Sequence, residues 1–149
     1  MRIEEEIQQA KFKNARQKAM INLIYTSNWL QSRHQDLLKP FGITSQQFNI
    51  LRILKGQHPK AISGAEIKSR MLDRNSDVSR LLDRLIAKNF ITRQTCPNDK
   101  RATDVSINDA GLALLTTLDK EFTKKDLLLI KISEQEAEQL SNLLDKIRD

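Results

Sequence analysis

Apolar residues in the first forty positions, Ile3, Ile7, Ala10, Met20, Leu23, Ile24, Leu30 and Leu37, recur at helical spacing with no Gly or Pro before Pro40. The spacing predicts one long helix ending near Leu38, with a polar middle where it can bend or fray. Pro40-Phe41-Gly42 stops it. Thr44-Ser-Gln-Gln47 is then a capping box, in which the Thr44 hydroxyl accepts a free backbone N–H and Gln47 reaches back, opening a helix to about Lys55. Gly56-Gln-His-Pro59 reads as a loop and Ala61-Ile62 as a short extended piece. Ser63-Gly-Ala-Glu66 is a second capping box for a helix to about Leu72, and Asp73-Arg74-Asn75 turns the chain into a further helix from Asn75 or Ser76 to Lys88. Asn89 stands where a helix commonly ends on Gly, because Asn tolerates the left-handed backbone.

The hydrophobic period then shortens to two. Phe90-Ile-Thr-Arg-Gln-Thr95 and Thr103-Asp-Val-Ser-Ile107 have the alternation and β-branched content of strands, on either side of a polar tip at 96–102. Asn108 caps a helix reaching roughly Ile130, with Leu112, Leu115, Leu118, Phe122 and Leu127 on one side. Ser133-Glu-Gln-Glu136 opens the last helix, striped by Ala137, Leu140, Leu144 and Ile147. The expected fold is mainly α with a small β-hairpin wing. A winged helix-turn-helix lobe at 44–108 sits between helical segments at 1–40 and 109–149, all within one domain of 149 residues.

Composition agrees with a globular chain: 39% hydrophobic, 30% charged, four Gly and three Pro. No window approaches the ~18 to 20 apolar residues of a membrane span, and Met1-Arg2-Ile3-Glu4-Glu5-Glu6 lacks a signal-peptide core, so a cytoplasmic protein with no membrane partner is expected. Cys96 is the single cysteine and His34 and His58 are the two histidines, too few ligands for a structural metal; no metal site or cofactor is expected. No Gly-rich phosphate loop and no nucleophile–base motif is present, which argues against an enzyme.

The net charge of +6 is unevenly placed. Residues 52–103 hold 12 Lys/Arg against 5 acids, and the remainder holds 13 against 14. The basic excess therefore belongs entirely to the lobe, whose partner should be a polyanion, while the flanks must be held together for another reason. Wrapped at 100° per residue, the helix at 76–88 puts Val78, Leu81, Leu82, Leu85 and Ile86 on one side, and Ser76, Asp77, Arg80, Asp83, Arg84 and Ala87 on the other. Arg80 can bond a guanine edge in two places, Asp77 can accept from a cytosine amino group, and Ser76 can bond base or phosphate. Asp77 can equally support the helix N-terminus. Ser63 and Gly64 can offer backbone N–H groups to a phosphate, or simply close their capping box. Arg84 has two readings, a phosphate contact or a pair with Asp99.

At this point the chain resembles the MarR family of bacterial transcriptional regulators, from about Asn22 to the C-terminus. Leu38-Lys-Pro-Phe-Gly-Ile-Thr-Ser-Gln-Gln-Phe-Asn-Ile-Leu51 is similar to the start of that family's second helix. Asp77-Val-Ser-Arg-Leu-Leu-Asp-Arg-Leu85 is similar to its recognition helix, Pro97-Asn-Asp-Lys-Arg101 to its wing signature, and Asn108-Asp-Ala-Gly111 to the Thr-x-x-Gly that follows the wing. The resemblance implies that Asp99 holds the Arg101 guanidinium toward a narrow minor groove, where negative potential is concentrated. Lys100 beside them is read as a phosphate contact. Base preference would then rest on Ser76, Asp77, Ser79 and Arg80. Three positions depart from the family pattern: Asn89 for a common Gly, Lys100 for a common Arg, and Asp77 where small neutral residues are frequent.

A monomer would meet one half-site only, so the terminal stripes Ile3/Ile7 and Leu140/Leu144/Ile147 predict a homodimer that buries them, and the resemblance implies the same, on a pseudo-palindromic operator of double-stranded DNA. It further implies a repressor released by a small aromatic or anionic effector bound between dimer core and lobe. Tyr25, Trp29 and His34 lie on the first helix where such a crevice would form, though aromatics at this spacing commonly serve as core. The family's peroxide-sensing cysteine lies in the first helix, where this chain has none. The rival reading is a winged helix used on RNA or on a protein partner, since the same basic face suits shape recognition of an RNA duplex.

Overall fold

Residues 1–96, 99–124 and 131–148 are described by the structure, a computed structural model, with side chains described for all of these except 96 and 99–102. The elements in chain order are α1 (Ile3–Glu6), α2 (Ala15–Leu38), a 3-10 turn (Lys39–Phe41), α3 (Ser45–Gln57), β1 (Ile62–Ser63), α4 (Gly64–Arg70), α5 (Val78–Ala87), β2 (Ile91–Cys96), β3 (Asp99–Ile107), α6 (Asp109–Lys124) and α7 (Glu134–Arg148). The three strands are antiparallel in the order β1-β3-β2, Ile62 pairing with Val105 and Arg93 with the same Val105 from the other side.

The expected single first helix is in fact two. Gln8 turns into the left-handed region at φ 52°, and Asn14 begins α2 afresh by accepting the Gln17 N–H at 2.9 Å. Asn competes with helix backbone in mid-helix but satisfies a free donor at a cap, so the polar middle favours the break. The break lets α1 fold back onto α2. Ile3 becomes buried, Glu4 pairs with Lys18, and the Tyr25 hydroxyl donates to Glu6 at 2.7 Å.

The three Ser/Thr capping boxes form as the sequence predicts, at Thr44/Gln47, Ser63/Glu66 and Ser133/Glu136. The backbone N–H of Ser63 and of Ser133 holds the Glu66 and Glu136 carboxyls below the usual range. At the end of α5, Asn89 takes φ 60°; its N–H bonds the Ile86 carbonyl and that of Phe90 the Leu85 carbonyl, the paired bonds of a Schellman motif. The hairpin differs from expectation in its strands, which run on to Cys96 and resume at Asp99, so the tip is shorter than 96–102. The chain beyond Lys124, including Leu127 and the expected helix end at Ile130, lies outside the described residues.

The core belongs to the lobe and the helices braced on it. Leu38, Ile50, Leu51, Leu54, Ile67, Leu85, Leu115 and Leu118 are fully buried. By contrast α2 buries only Leu37 and Leu38, and no residue of α7 is buried. Met20, Leu23, Ile24 and Trp29 of α2 and Leu140, Leu143 and Ile147 of α7 remain exposed. Among the described residues no helix is long and apolar enough to cross a membrane.

Candidate nucleic-acid interface

The pattern that makes α5 a helix also decides what it shows to solvent. Val78, Leu81, Leu82 and Leu85 recur at one face and are buried, leaving Ser79, Arg80, Asp83 and Arg84 exposed on the opposite face. Arg80 and Arg84 stand one turn apart, and among the described residues neither makes an ion pair. Two adjoining shallow clefts border this face. Gly64, Ala65, Lys68, Asp77 and Ser79 line one, and Ser63, Ser79, Asp83, Arg93 and Thr103 line the other. Ser63 and Gly64, at the start of α4, are thus brought to one surface with Ser79, and Arg80 follows Ser79 on the exposed face of α5.

Of the expected recognition residues, Asp77 takes the second of its two expected roles and Ser76 stands differently. The helix begins at Val78 rather than Asn75 or Ser76, because Asp77 is its N-cap and accepts the Arg80 N–H at 3.3 Å. A carboxylate at that place satisfies a free donor and suits the positive end of the helix dipole. Ser76 was expected on the exposed face and is instead 2% exposed, its hydroxyl accepting from Gln46 Nε2 at 3.4 Å. The turn before the cap causes this: Asp73 accepts the Asn75 N–H at 2.9 Å and tucks Ser76 inward.

Several basic side chains counted in the lobe are engaged within it. Arg52 pairs with Asp119 of α6, Arg74 donates to the Ser69 carbonyl at 2.7 Å, and Lys88 donates to the Gly42 carbonyl. Arg93 of β2 pairs with Asp83 of α5 at 2.7 Å, tying the base of the wing to the helix. Sequence reasoning missed that pair. Opposite charges at 83 and 93 are a signal, but the crossing of helix and strand that joins them is tertiary. The side chains of Asp99, Lys100 and Arg101 lie outside the described residues, as does that of Cys96.

Tyr25, Trp29 and His34 do not converge. Tyr25 bonds Glu6, which raises its pKa because that acceptor favours the protonated phenol. Trp29 is 45% exposed, with the Arg33 guanidinium 4.8 Å from its ring centre. His34 faces the other way, its ring 4.7 Å from Phe122 of α6 and 5.9 Å from Phe48 of α3. Among the described residues no three His, Cys, Asp or Glu side chains stand together as a metal site would require.

Burial lowers the pKa of His34 below the usual histidine value, since the charged ring is poorly solvated among phenyl groups. The unfolded chain therefore takes up this proton at higher pH than the folded one. This share of stability is complete above the ordinary histidine pKa and falls away as pH drops through it. His34→Gln is expected to flatten the pH dependence of the urea midpoint between about pH 7 and 5. An unchanged slope would count against this role.

A family model described as MarR family matches residues 43–103. The HTH-type transcriptional regulator PecS of Dickeya dadantii is 28% identical over 109 residues, covering 72% of this chain; the chain spans just under two thirds of that protein's length, 66%. A crystal structure of a MarR transcription factor from Planctomyces limnophilus superposes with TM-score 0.70 at 27% identity, covering 91% of this chain and 98% of the other. A MarR variant from E. coli complexed with operator DNA gives TM-score 0.70 at 28% identity, over 85% of this chain and 91% of the other. The superpositions run along nearly the whole chain and the family model matches within it at 43–103, so the chain has a winged-helix fold similar to that of the MarR-family regulators.

Proposed function

We propose that this protein is a sequence-specific transcriptional regulator of double-stranded DNA, acting as a homodimer on a pseudo-palindromic operator and relieved by a small effector. The observation that carries the reading is the exposed face of α5. Ser79, Arg80 and Arg84 project from it, with Ser63 and Gly64 beside them, while the opposite face is packed into the core. Such a face fits the major groove, where Arg80 reads a base edge and Arg84 meets phosphate. Asp77 acts by holding the first turn of α5 in place. Arg101, held by Asp99, serves the minor groove, and Lys100 meets the neighbouring phosphate backbone.

The uncovered apolar residues of α2 and α7 support the pairing of two chains, which would set two copies of α5 about 34 to 36 Å apart, one turn of duplex. A small aromatic or anionic effector would act where α2 meets the lobe. Of the three candidates His34 stands there, beside Phe48 and Phe122, whereas Tyr25 and Trp29 are engaged elsewhere on the helix.

Selection of bound duplexes from a random pool is the direct test, and an inverted repeat with half-sites one turn apart is the expected product. Arg80→Ala should lower discrimination at one position per half-site by a factor of about 5 to 150, equivalent to roughly 1–3 kcal/mol. Arg84→Ala should weaken all sequences alike and reduce the salt slope by about one. Equal loss on every sequence from Arg80→Ala, or equal competition by an RNA duplex, would refute these roles.

A further inference from the structure

The residues that start α5 are held from outside the helix pair. Between Met71, where α4 ends, and Asp77, where α5 is capped, lies a short polar turn, and α3 grips it twice. Gln46 donates through Nε2 to Asp73 Oδ2 at 2.9 Å and to the buried Ser76 hydroxyl at 3.4 Å. Asn49, three residues further along α3, accepts the Leu72 N–H at 2.9 Å. Leu72 itself is 89% exposed, so the turn has little apolar packing to fix it and depends on these polar contacts.

A neighbouring side of α3 is fastened to other helices. Phe48 stacks against Phe122 at 5.3 Å and meets His34 edge-on, and Arg52 pairs with Asp119. Helix α3 therefore has one polar face toward the recognition turn and another toward α2 and α6, and it is the element through which the first residues of α5 are placed relative to that frame.

We propose that Gln46 and Asn49 are positioning residues for sequence recognition: they set where and at what angle α5 begins, without touching DNA themselves. The inference rests on the DNA-binding reading above. An Arg reads a base edge in two places only when its backbone is placed to within a fraction of an ångström, whereas phosphate contacts by flexible Lys and Arg tolerate displacement. Loosening the latch should therefore cost discrimination more than total affinity.

The donor and acceptor roles permit a test by exchange. Gln46→Glu sets two carboxylates against each other at Asp73 and opens the latch; adding Asp73→Asn restores one donor and one acceptor, and keeps an oxygen for the Asn75 N–H. Binding is measured to the inverted repeat recovered by selection and to an unrelated duplex of equal length, across a salt series. Gln46→Glu should reduce the preference for the repeat about tenfold, a coupling of the size polar neighbours show. The salt slope and the affinity for the unrelated duplex should change little, and the double variant should regain most of the preference. Asn49→Leu should behave as Gln46→Glu, and Asn49→Asp, which keeps the acceptor, as the parent protein. Full discrimination in Gln46→Glu and Asn49→Leu overturns the inference while leaving DNA reading intact. So does a double variant no better than the single. Absence of any preference in the unaltered protein overturns both.

Discussion

Gly111→Ala is expected to destabilise the protein by about 1–3 kcal/mol, a net penalty despite the better helix propensity of Ala. Gly111 lies in the first turn of α6, where its N–H bonds the Asn108 side chain at 2.9 Å. A Cβ there would stand 2.4 Å from the Phe90 carbonyl oxygen and 2.6 Å from Ile107 Cγ1. The first of these is backbone that cannot move freely, because the same carbonyl accepts the Asn108 N–H at 3.2 Å. Propensity offers about 1 kcal/mol in favour of Ala, and crowding in a packed interior typically costs 1–3 kcal/mol or more. Loss of the Asn108–Phe90 bond adds roughly another 1 kcal/mol. The contact joins α6 to the base of the wing, so the strands and α6 should loosen together. Urea denaturation followed by circular dichroism checks this, and a midpoint at or above the parent value would show that the turn accommodates a methyl group.

The second large effect separates association from folding. Leu140 and Ile147 are 41% and 68% exposed within one chain, so Leu140→Glu/Ile147→Glu removes little from the fold of a single protomer. If two chains pair through α7, each leucine or isoleucine buried there contributes ~1.5–3 kcal/mol, and two-fold symmetry counts every substitution twice. The double variant should therefore be monomeric at micromolar concentration by sedimentation, with association weakened on the order of 10,000-fold or more, as roughly 6 kcal/mol implies. It should also lose the added affinity that a second half-site gives. An unaltered dimer would place the interface elsewhere.

Opposite outcomes are thus expected of two kinds of helix in one chain. Gly111 is felt because the interior around it is filled, and Leu140 and Ile147 are little felt in the monomer because among the described residues they remain exposed.

Much of this was legible in the sequence, and the legible parts share a cause. The capping boxes, the Asn89 terminus and the buried face of α5 are all local: each depends on residues within about two turns of one another, and spacing alone reports them. The sheet partners β2 and β3 follow from alternation in the same way. What local pattern could not report is competition. The stretch before α2 has helical spacing yet breaks at Gln8, because folding back buries Ile3 and gives Glu4 and Glu6 partners that a straight helix would deny them. Ser76 lies on the polar side of a helical wheel yet is buried, since the wheel presumes a helix already begun, whereas the Asp77 cap starts it only at Val78.

The candidate interface divides along the same line. Its exposed arginines were evident from α5 alone, but which lobe cations remain uncommitted was not. Arg52, Lys88 and Arg93 count equally with Arg80 and Arg84 in any sum of charge, and only the approach of α6, the 3-10 turn and α5 assigns them to internal partners. Gln46 and Asn49 carry no motif at all. By itself the sequence determined which segments are helix or strand, where most of them stop and which side of each is apolar, because those properties are set within a few residues. Tertiary structure alone decided which polar groups meet, since contacts between distant segments depend on how whole elements cross.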